Sequence, residues 1–333
     1  MELGMRHIAQ LAVGTWQAEV LYTLAELRVV DTLLESPLTA EDVAGRLQLD
    51  TAATDALLNA AVAMRLLTRN KDHFSVTQTA RRFLADDSDE SLTGWVRTMG
   101  EWGRSWAQLT ELVRKGGPVA VGDSGMSTDP AKLRDLEIGF YRYAVPLADE
   151  LADGIDPPLV GTLVDLGGGC GAYSMALCRR HPQLQAQIFD IPDTVPIANK
   201  VISELGMADR VVAVARDYAT SAYGDGLAGV LLSNMFHAET DERRRLLLER
   251  AYAALEPGGR VILNGNFLGE DRVSPPFAAL HHLSSMILWE GGGDYTIGET
   301  SALLREVGFE EPTTFTIGGN VSTVLVAAKP RAS

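Results

Sequence analysis

Leu163-Val-Asp-Leu-Gly-Gly-Gly-Cys-Gly171 decides how the rest of the chain is read. A short apolar run, Thr162 to Leu166, ends in a glycine cluster, and a helical pattern from Ala172 to Arg180 follows at once. The succession is strand, tight turn, helix. Glycine belongs at such a turn because the backbone must take positive φ and lie against a ligand with no Cβ in the way. Asp165 precedes the cluster, giving D-x-G-x-G-x-G, and Asp190 ends the next apolar run, 19 residues after Gly171. A carboxylate at the tip of the second strand is placed to accept hydrogen bonds from a ribose diol. Gly167-x-Gly169-x-x-Ala172 also satisfies the dinucleotide fingerprint, so the glycines alone leave NAD open.

Around this turn the chain alternates. Beyond Asp156-Pro-Pro, strands are expected at Thr162–Leu166, Gln185–Asp190, Arg210–Ala215, Gly229–Asn234 and Gly259–Asn266. Helices are expected at Ala172–His181, Pro192–Leu205, Asp241–Leu255 and Ile297–Val307. The tail, Thr313-Thr-Phe-Thr-Ile and Val321-Ser-Thr-Val-Leu-Val around Gly318-Gly-Asn, reads as a hairpin. Repeated strand–helix units predict an α/β fold with a parallel, doubly wound sheet.

The N-terminal third is different. Residues 7–35 carry apolar positions at helical spacing, among them Ile8, Leu11, Trp16, Val20, Leu24 and Leu33. Thr39, followed by Glu41 and Asp42, opens a short helix with a near capping box, and Asp50 caps a second that runs to Leu67. His73-Phe-Ser-Val-Thr, after the turn Asn70-Lys-Asp, looks like the wing of a winged helix. That pattern alone suggests DNA binding. The helix that would read bases, Thr51 to Thr68, offers only Arg65 as a cation, whereas phosphate contacts need several. Residues 95–152 form helices with a Trp95, Trp102, Trp106 cluster, broken by the Gly/Pro/Ser-rich interval Gly116 to Pro130.

At 333 residues the chain is comfortable for two domains, with 46% hydrophobic and 22% charged residues. A net charge of −15 argues against a nucleic-acid partner and against an anionic membrane surface. No basic, long apolar leader and no run of 18 apolar residues occur, so a cytoplasmic location is expected. Cys170 and Cys178 are then free thiols.

The run VDLGGGCGAYSMALCRRHP, with IFDIPDTVPIANKVISELGMADRVVAVARDY after it, resembles the S-adenosylmethionine (SAM) site of class I methyltransferases. Within that class the chain is similar, from about Leu21 to its end, to the small-molecule O-methyltransferases of plant caffeate and bacterial antibiotic-tailoring type. The resemblance implies a Rossmann-like sheet closed by the C-terminal hairpin, with SAM as cofactor. It gives Asp165 the methionine end of SAM, Gly167 and Gly169 the turn, Asp190 the ribose, Asp217 the adenine amine, and Tyr218 the adenine face. The segment around ELRVVDTL and TAEDVAGRLQLD is similar to the family's dimerisation domain, implying a homodimer. The implied domains are 1–110 (helical, winged-helix-like, pairing the subunits), 111–155 (linking helices lining the acceptor pocket) and 156–333 (SAM binding). Trp102, Met99, Phe140 and Tyr143 are then candidates to line the pocket of a small aromatic or polar acceptor.

Strand four ends in Leu-Ser-Asn-Met-Phe-His237, which resembles the family's H-D-W-x-D-E segment, whose His removes the acceptor's proton. An imidazole with a pKa near working pH suits that task, since a neutral hydroxyl attacks a sulfonium methyl poorly. The family's next residues are replaced by Ala238 and Glu239, and its strand-five carboxylate falls at Gly265, between Asn264 and Asn266. Its second flanking acid is matched by Asp294. His281 and His282, on the helix before Asp294, face the acceptor in the family. His237 and His282 with Asp294 or Glu239 would also make a two-His, one-carboxylate metal set. O-methylation is the implied activity. C- or N-methylation, SAM-dependent chemistry without methyl transfer, and a winged-helix regulator with a degenerate enzyme domain are the alternatives.

Overall fold

A computed structural model describes residues 4–120 and 129–331, so the centre of the predicted Gly116–Pro130 break lies outside the described residues. The chain forms two compact units, Met1–Gly103 with Ile138–Arg142, and Arg104–Glu137 with Tyr143–Ser333.

The first unit opens with helices α1 (Met5–Ala12), α2 (Gly14–Glu26) and α3 (Val29–Thr32). Strand β1 (Leu38–Thr39), helices α4 (Ala40–Leu47) and α5 (Thr51–Ala63), strands β2 (Leu67–Asn70) and β3 (His73–Val76) and helix α6 (Gln78–Leu84) follow. The expected capping box forms: Thr39 Oγ1 accepts from the Asp42 N–H, and the Asp42 carboxylate accepts from the Thr39 N–H. Asp50 accepts from the Ala53 N–H at 2.8 Å and starts α5. That helix stops at Ala63, short of the predicted Leu67, because Arg65 turns into the left-handed region (φ 61°) and the next residues join β2. The wing is a real hairpin: β2 and β3 pair antiparallel from Leu67↔Val76 to Asn70↔His73, with β1 on the other side of β3. Leu24, Val29, Leu33, Val43, Leu58 and Phe74 fill the core beneath it. Helix α7 (Thr93–Trp106) carries the tryptophans, α8 (Leu109–Lys115) follows, and the 25-residue α9 (Pro130–Gly154) contributes residues to both units.

In the second unit the order is β4 (Gly161–Leu166), α10 (Ala172–Arg180), β5 (Leu184–Asp190), α11 (Thr194–Glu204), β6 (Val211–Ala215), β7 (Leu227–Ser233), α12 (Asp241–Ala254) and β8 (Leu255–Gly265). Helices α13 (Pro276–Leu288) and α14 (Ile297–Val307) and the hairpin β9 (Thr313–Ile317) with β10 (Ser322–Ala328) complete it. The sheet runs β6-β5-β4-β7-β8-β10-β9, parallel through β8 and antiparallel at β10 and β9. All seven residues of β7 are buried, the continuous apolar run expected of a central parallel strand covered on both faces. Leu166, Phe189, Leu232, Leu247, Leu263 and Leu325 form the core between sheet and helices.

This order positions the site. From β4 the chain builds outward to β5 and β6 on one side, then returns to β7 and β8 on the other. The crevice at the carboxyl ends of β4 and β7 is therefore the switch point where open α/β sheets bind ligands.

Candidate active site

The glycine turn sits at that crevice. Gly167, Gly169 and Gly171 all have positive φ (65°, 51° and 77°). Gly168 does not, yet a Cβ there would overlap the carboxyl of Asp165, which folds back under the turn. Asp165 is fully buried; its Oδ2 accepts from Ser174 Oγ at 2.6 Å, while Oδ1 has no partner. Asp190 accepts from the Gly169 N–H (2.9 Å) and from its neighbour Ile191 N–H (2.8 Å), so it braces the turn from the tip of β5. Burial pushes the pKa of Asp190 up and that of Asp165 to about 7, the latter aided by the Asp190 charge and opposed by the Ser174 hydrogen bond.

A third carboxyl escaped the sequence reading. Glu137, on α9, is buried and accepts from Thr194 Oγ1 at 2.9 Å. A Cβ on Gly169 would come within 2.8 Å of Glu137 Oε2. Burial, with the Asp190 charge added, pushes Glu137 up to about 7. Glu137 stands in a polar helical stretch, Arg134-Asp-Leu-Glu137, that carries no sign of burial in the sequence. Three buried carboxyls round one glycine turn make a site for a ligand that brings positive charge and hydroxyl donors, and the unpartnered Asp165 oxygen is open to such a donor.

The remaining predicted cofactor residues divide. Asp217 is exposed and closes its own turn, accepting from the Ala219 N–H (2.8 Å) and Thr220 Oγ1 (2.9 Å), hydrogen bonds that hold its pKa down. Tyr218 reaches the glycines: a Cβ on Gly167 would lie 3.7 Å from its ring and 3.8 Å from Met235. Its hydroxyl donates to Glu239 Oε1 at 2.7 Å, and Glu239 in turn pairs with Arg243 at 2.6 Å. The two cysteines are buried free thiols, with Cys178 pushed up to about 11 by burial.

One strand away, β7 ends in a 3-10 turn, Phe236–Ala238, that carries His237. Buried Arg244 on α12 anchors this turn. Its Nε donates to the Phe236 carbonyl (2.6 Å), and its Nη2 donates to the Gly293 carbonyl (2.8 Å) and, at 3.4 Å, to that of His237. The guanidinium stacks 3.6 Å from the centroid of Tyr295, and the Gly293 N–H donates to the His237 carbonyl at 2.9 Å. These bonds draw the segment around Asp294 against the end of β7. Nothing in the sequence distinguishes Arg244 from its neighbours in Arg243-Arg-Arg245.

The histidines then pair in a way the sequence did not show. The ring of His237 meets that of His281 edge to face, with centroids 4.6 Å apart, and packs at 5.1 Å on Trp289. His281 Nδ1 donates to Asp294 Oδ2 at 2.7 Å, and Asp294 is buried. His282 faces elsewhere: its Nδ1 accepts from the Asp294 backbone N–H at 2.8 Å. The set His237, His281 and Asp294 thus replaces the expected pairing of His237 with His282; its donor atoms lie within 4.8 Å of one another. Burial holds the pKa of His237 well below the ordinary imidazole value, and the charges of His281 and Arg244 add to this.

Trp102 and Phe140 pack together in the first unit, ring centroids 5.9 Å apart. Tyr143 belongs to the second unit, where burial raises its phenol pKa.

Sheet order, glycine turn and imidazole cluster together define a SAM-dependent methyltransferase. Residues 106–310 match the model of the O-methyltransferase domain and residues 9–86 that of the O-methyltransferase dimerisation domain; the chain belongs to the O-methyltransferase family. It is 28% identical to a 3-hydroxy-5-methyl-1-naphthoate 3-O-methyltransferase of Streptomyces sahachiroi, covering 91% of this chain and 89% of that one. Identity is also 28% to the N,N-dimethyltransferase OxyT of Streptomyces rimosus, over 91% and 90%. The crystal structure of human N-acetylserotonin methyltransferase in complex with SAM has the same fold, with a TM-score of 0.87 at 23% identity over 99% of both chains. SAM supplies an electrophilic methyl group on a sulfonium. No helix among the described residues is long and apolar enough to cross a membrane.

Proposed function

We propose that the chain methylates a hydroxyl of a small, aromatic or polar metabolite in secondary metabolism, acting in the cytoplasm as a homodimer. The supporting observation is the spacing of two chemistries: an acid-lined glycine turn after β4 and a part-buried imidazole–carboxylate cluster after the adjacent β7. Gly167, Gly169, Asp165, Asp190 and Glu137 hold the SAM zwitterion, with Tyr218 beside Gly167 and Asp217 shaping the adenine side. His237, His281 and Asp294 receive the acceptor and its proton. The domain division 1–110, 111–155 and 156–333 is part of the same reading. Exposed Met5, Ile8, Leu11 and Trp16 on α1 and α2 give the dimerisation segment an apolar face to bury.

Calorimetry with SAM and S-adenosylhomocysteine, followed by a panel of hydroxylated aromatics (catechol, 1-naphthol, 3-hydroxy-2-naphthoate), tests the proposal. Tight SAM binding lost in Asp190→Ala, with O-methyl products from the panel, is the expected result. Absence of SAM binding would sink it. The second reading, N-methylation, rests on Gly265 standing where the family keeps an acid; an amine methylated faster than any hydroxyl would establish it.

A further inference from the structure

The family resemblance assigns proton removal to His237, held by two acids. In this chain neither acid position hydrogen-bonds the His237 ring. One position is Gly265, which offers no side chain. The other, Asp294, accepts from the Nδ1–H of a different imidazole, His281, at 2.7 Å. The His237 ring packs on another imidazole and an indole, Arg244 holds its backbone carbonyl, and an Asp294 oxygen lies within 4.8 Å of a ring nitrogen without a hydrogen bond to it. A proton taken by His237 would therefore place a second positive charge beside the Arg244 guanidinium, whereas one taken by His281 is met by a carboxylate bonded directly to its ring. His237 is built to stay neutral.

We propose that His281, held by Asp294, is the general base of methyl transfer, and that His237 is a neutral positioning residue that orients the His281 ring. This assignment rests on the methyl-transfer reading above. The Nδ1–H of His281 is committed to Asp294, which leaves the Nε2 lone pair free and fixes the tautomer a base requires. The same carboxylate stabilises the imidazolium that forms, the role an orienting Asp plays beside a catalytic His. His282 completes the arrangement from below: by accepting from the Asp294 N–H it fixes the backbone of the residue whose side chain holds His281. Ser285, one turn on, donates to the His281 carbonyl at 3.1 Å and pins the same turn of α13.

The step balances. The acceptor O–H gives its proton to Nε2 of His281, an oxygen lone pair forms the bond to the methyl carbon, and the C–S bond electrons return to sulfur. Positive charge thus leaves the sulfonium and appears on His281, where Asp294 faces it. Two consecutive histidines thus hold one aspartate, one at the carboxylate and one at the amide.

Three variants on the acceptor identified by the panel decide the matter. His281→Gln should lower kcat by about 10²–10⁴-fold, the usual contribution of a general base, with SAM affinity unchanged. A nitro-substituted analogue of that acceptor, already ionised, needs no base and should restore most of the rate in His281→Gln; a merely structural role for His281 would not respond to acceptor acidity. His237→Asn should lose only about tenfold, the worth of an edge-to-face aromatic contact. Without any acceptor, ¹⁵N-edited NMR of the whole protein should show a strongly deshielded Nδ1 proton on His281 that disappears in Asp294→Asn. If that proton is found on His237, or if His237→Asn loses more than His281→Gln, the assignment is overturned. Stoichiometric divalent metal in the purified protein, lost in His281→Gln, would overturn it in favour of a metal-held acceptor. SAM binding with a wild-type rate in His281→Gln defeats this inference alone, whereas no SAM binding defeats the methyl-transfer reading as well.

Discussion

The glycine turn and the histidine cluster lie one strand apart at the same end of one sheet, and they are assembled in different ways. The turn is local. Asp165, the glycines and Ser174 fall within ten residues, and Asp190, Glu137, Thr194, Tyr218 and Met235 join them from elsewhere. The cluster takes His237 from the end of β7, His281 from α13 and Asp294 from the loop beyond it, and depends on Arg244 of α12 to hold the pieces together. A local motif keeps its geometry because backbone conformation sets it. A distributed one keeps its geometry only while every contributor stays in place. If this contrast is right, damage to the cluster should slow chemistry and spare SAM, while damage to the turn should do the reverse.

The largest expected effect is in the cluster. Asp294→Asn keeps the shape of the side chain but cannot accept the His281 Nδ1 proton and balance its charge at once. A fall in kcat of about 10²–10³-fold is expected from the lost orientation and charge stabilisation. Calorimetry should return the wild-type SAM affinity. A parallel loss of SAM binding would mean that the two regions are one energetic unit.

The turn should break next. Gly169→Ala places a Cβ at φ 51°, 2.8 Å from Glu137 Oε2, on the residue whose N–H is held by Asp190. Strain of about 2 kcal/mol, about 30-fold in SAM affinity, is the expected cost. Residual activity at saturating SAM should stay near the wild-type kcat. A variant that binds SAM normally but turns over slowly would reverse the comparison.

Legibility in the sequence followed the same division. The alternation of strands and helices was readable because each central strand is a short, continuous apolar run bounded by turn residues, as in Leu227–Ser233. Asp165, the glycines and Asp190 were readable because their spacing is the motif. Asp217 matched by position, but its carboxylate is tied to Ala219 and Thr220, a local turn that no spacing argument detects. The end of α5 was misjudged because Arg65 adopts positive φ without being glycine or asparagine. Glu137 and Arg244 were hidden because each gains its role from a partner about fifty residues away, Thr194 and Gly293, and polar residues on a helix look solvated until the fold buries them; the His281–Asp294 pair was hidden because it depends on how the loop after α13 folds back. That two histidines at 281 and 282 point to different parts of Asp294 is a fact of α13's rotation, not of composition.

Arg244 offers a smaller test of the cluster's assembly. Its guanidinium donates to three carbonyls and stacks on Tyr295. Lysine keeps the charge but not the planar fork. Arg244→Lys should therefore leave at least one buried carbonyl unpaired and lower stability by about 1–3 kcal/mol in denaturant titration. Its kcat should fall less than that of Asp294→Asn, since the acid–imidazole bond itself survives. If Arg244→Lys is fully stable, some other contact holds the Asp294 segment to β7.

The smallest effect concerns pH and sharpens the picture of the turn. Glu137 and Asp165 are both pushed up to about 7, from ordinary values of 4.5 and 3.8, mainly by burial. A raised carboxyl means that the folded protein holds protons the unfolded chain has already released. Stability is therefore greatest below the unfolded pKa values and falls as pH rises from about 4 towards 7, by at most about 1.4 kcal/mol per pH unit for each carboxyl. Above that window both groups are ionised in either state and the dependence flattens. Melting temperature of the free protein should decline across the window, and Glu137→Gln should remove part of the slope. SAM should change the sign of the comparison. Its sulfonium and ammonium stabilise the ionised acids, so the increment in melting temperature on adding SAM should grow as pH rises from 6 to 8. An increment that is constant over that range would mean that the buried acids do not face the cofactor's positive charge, and that their burial serves only to brace the glycine turn.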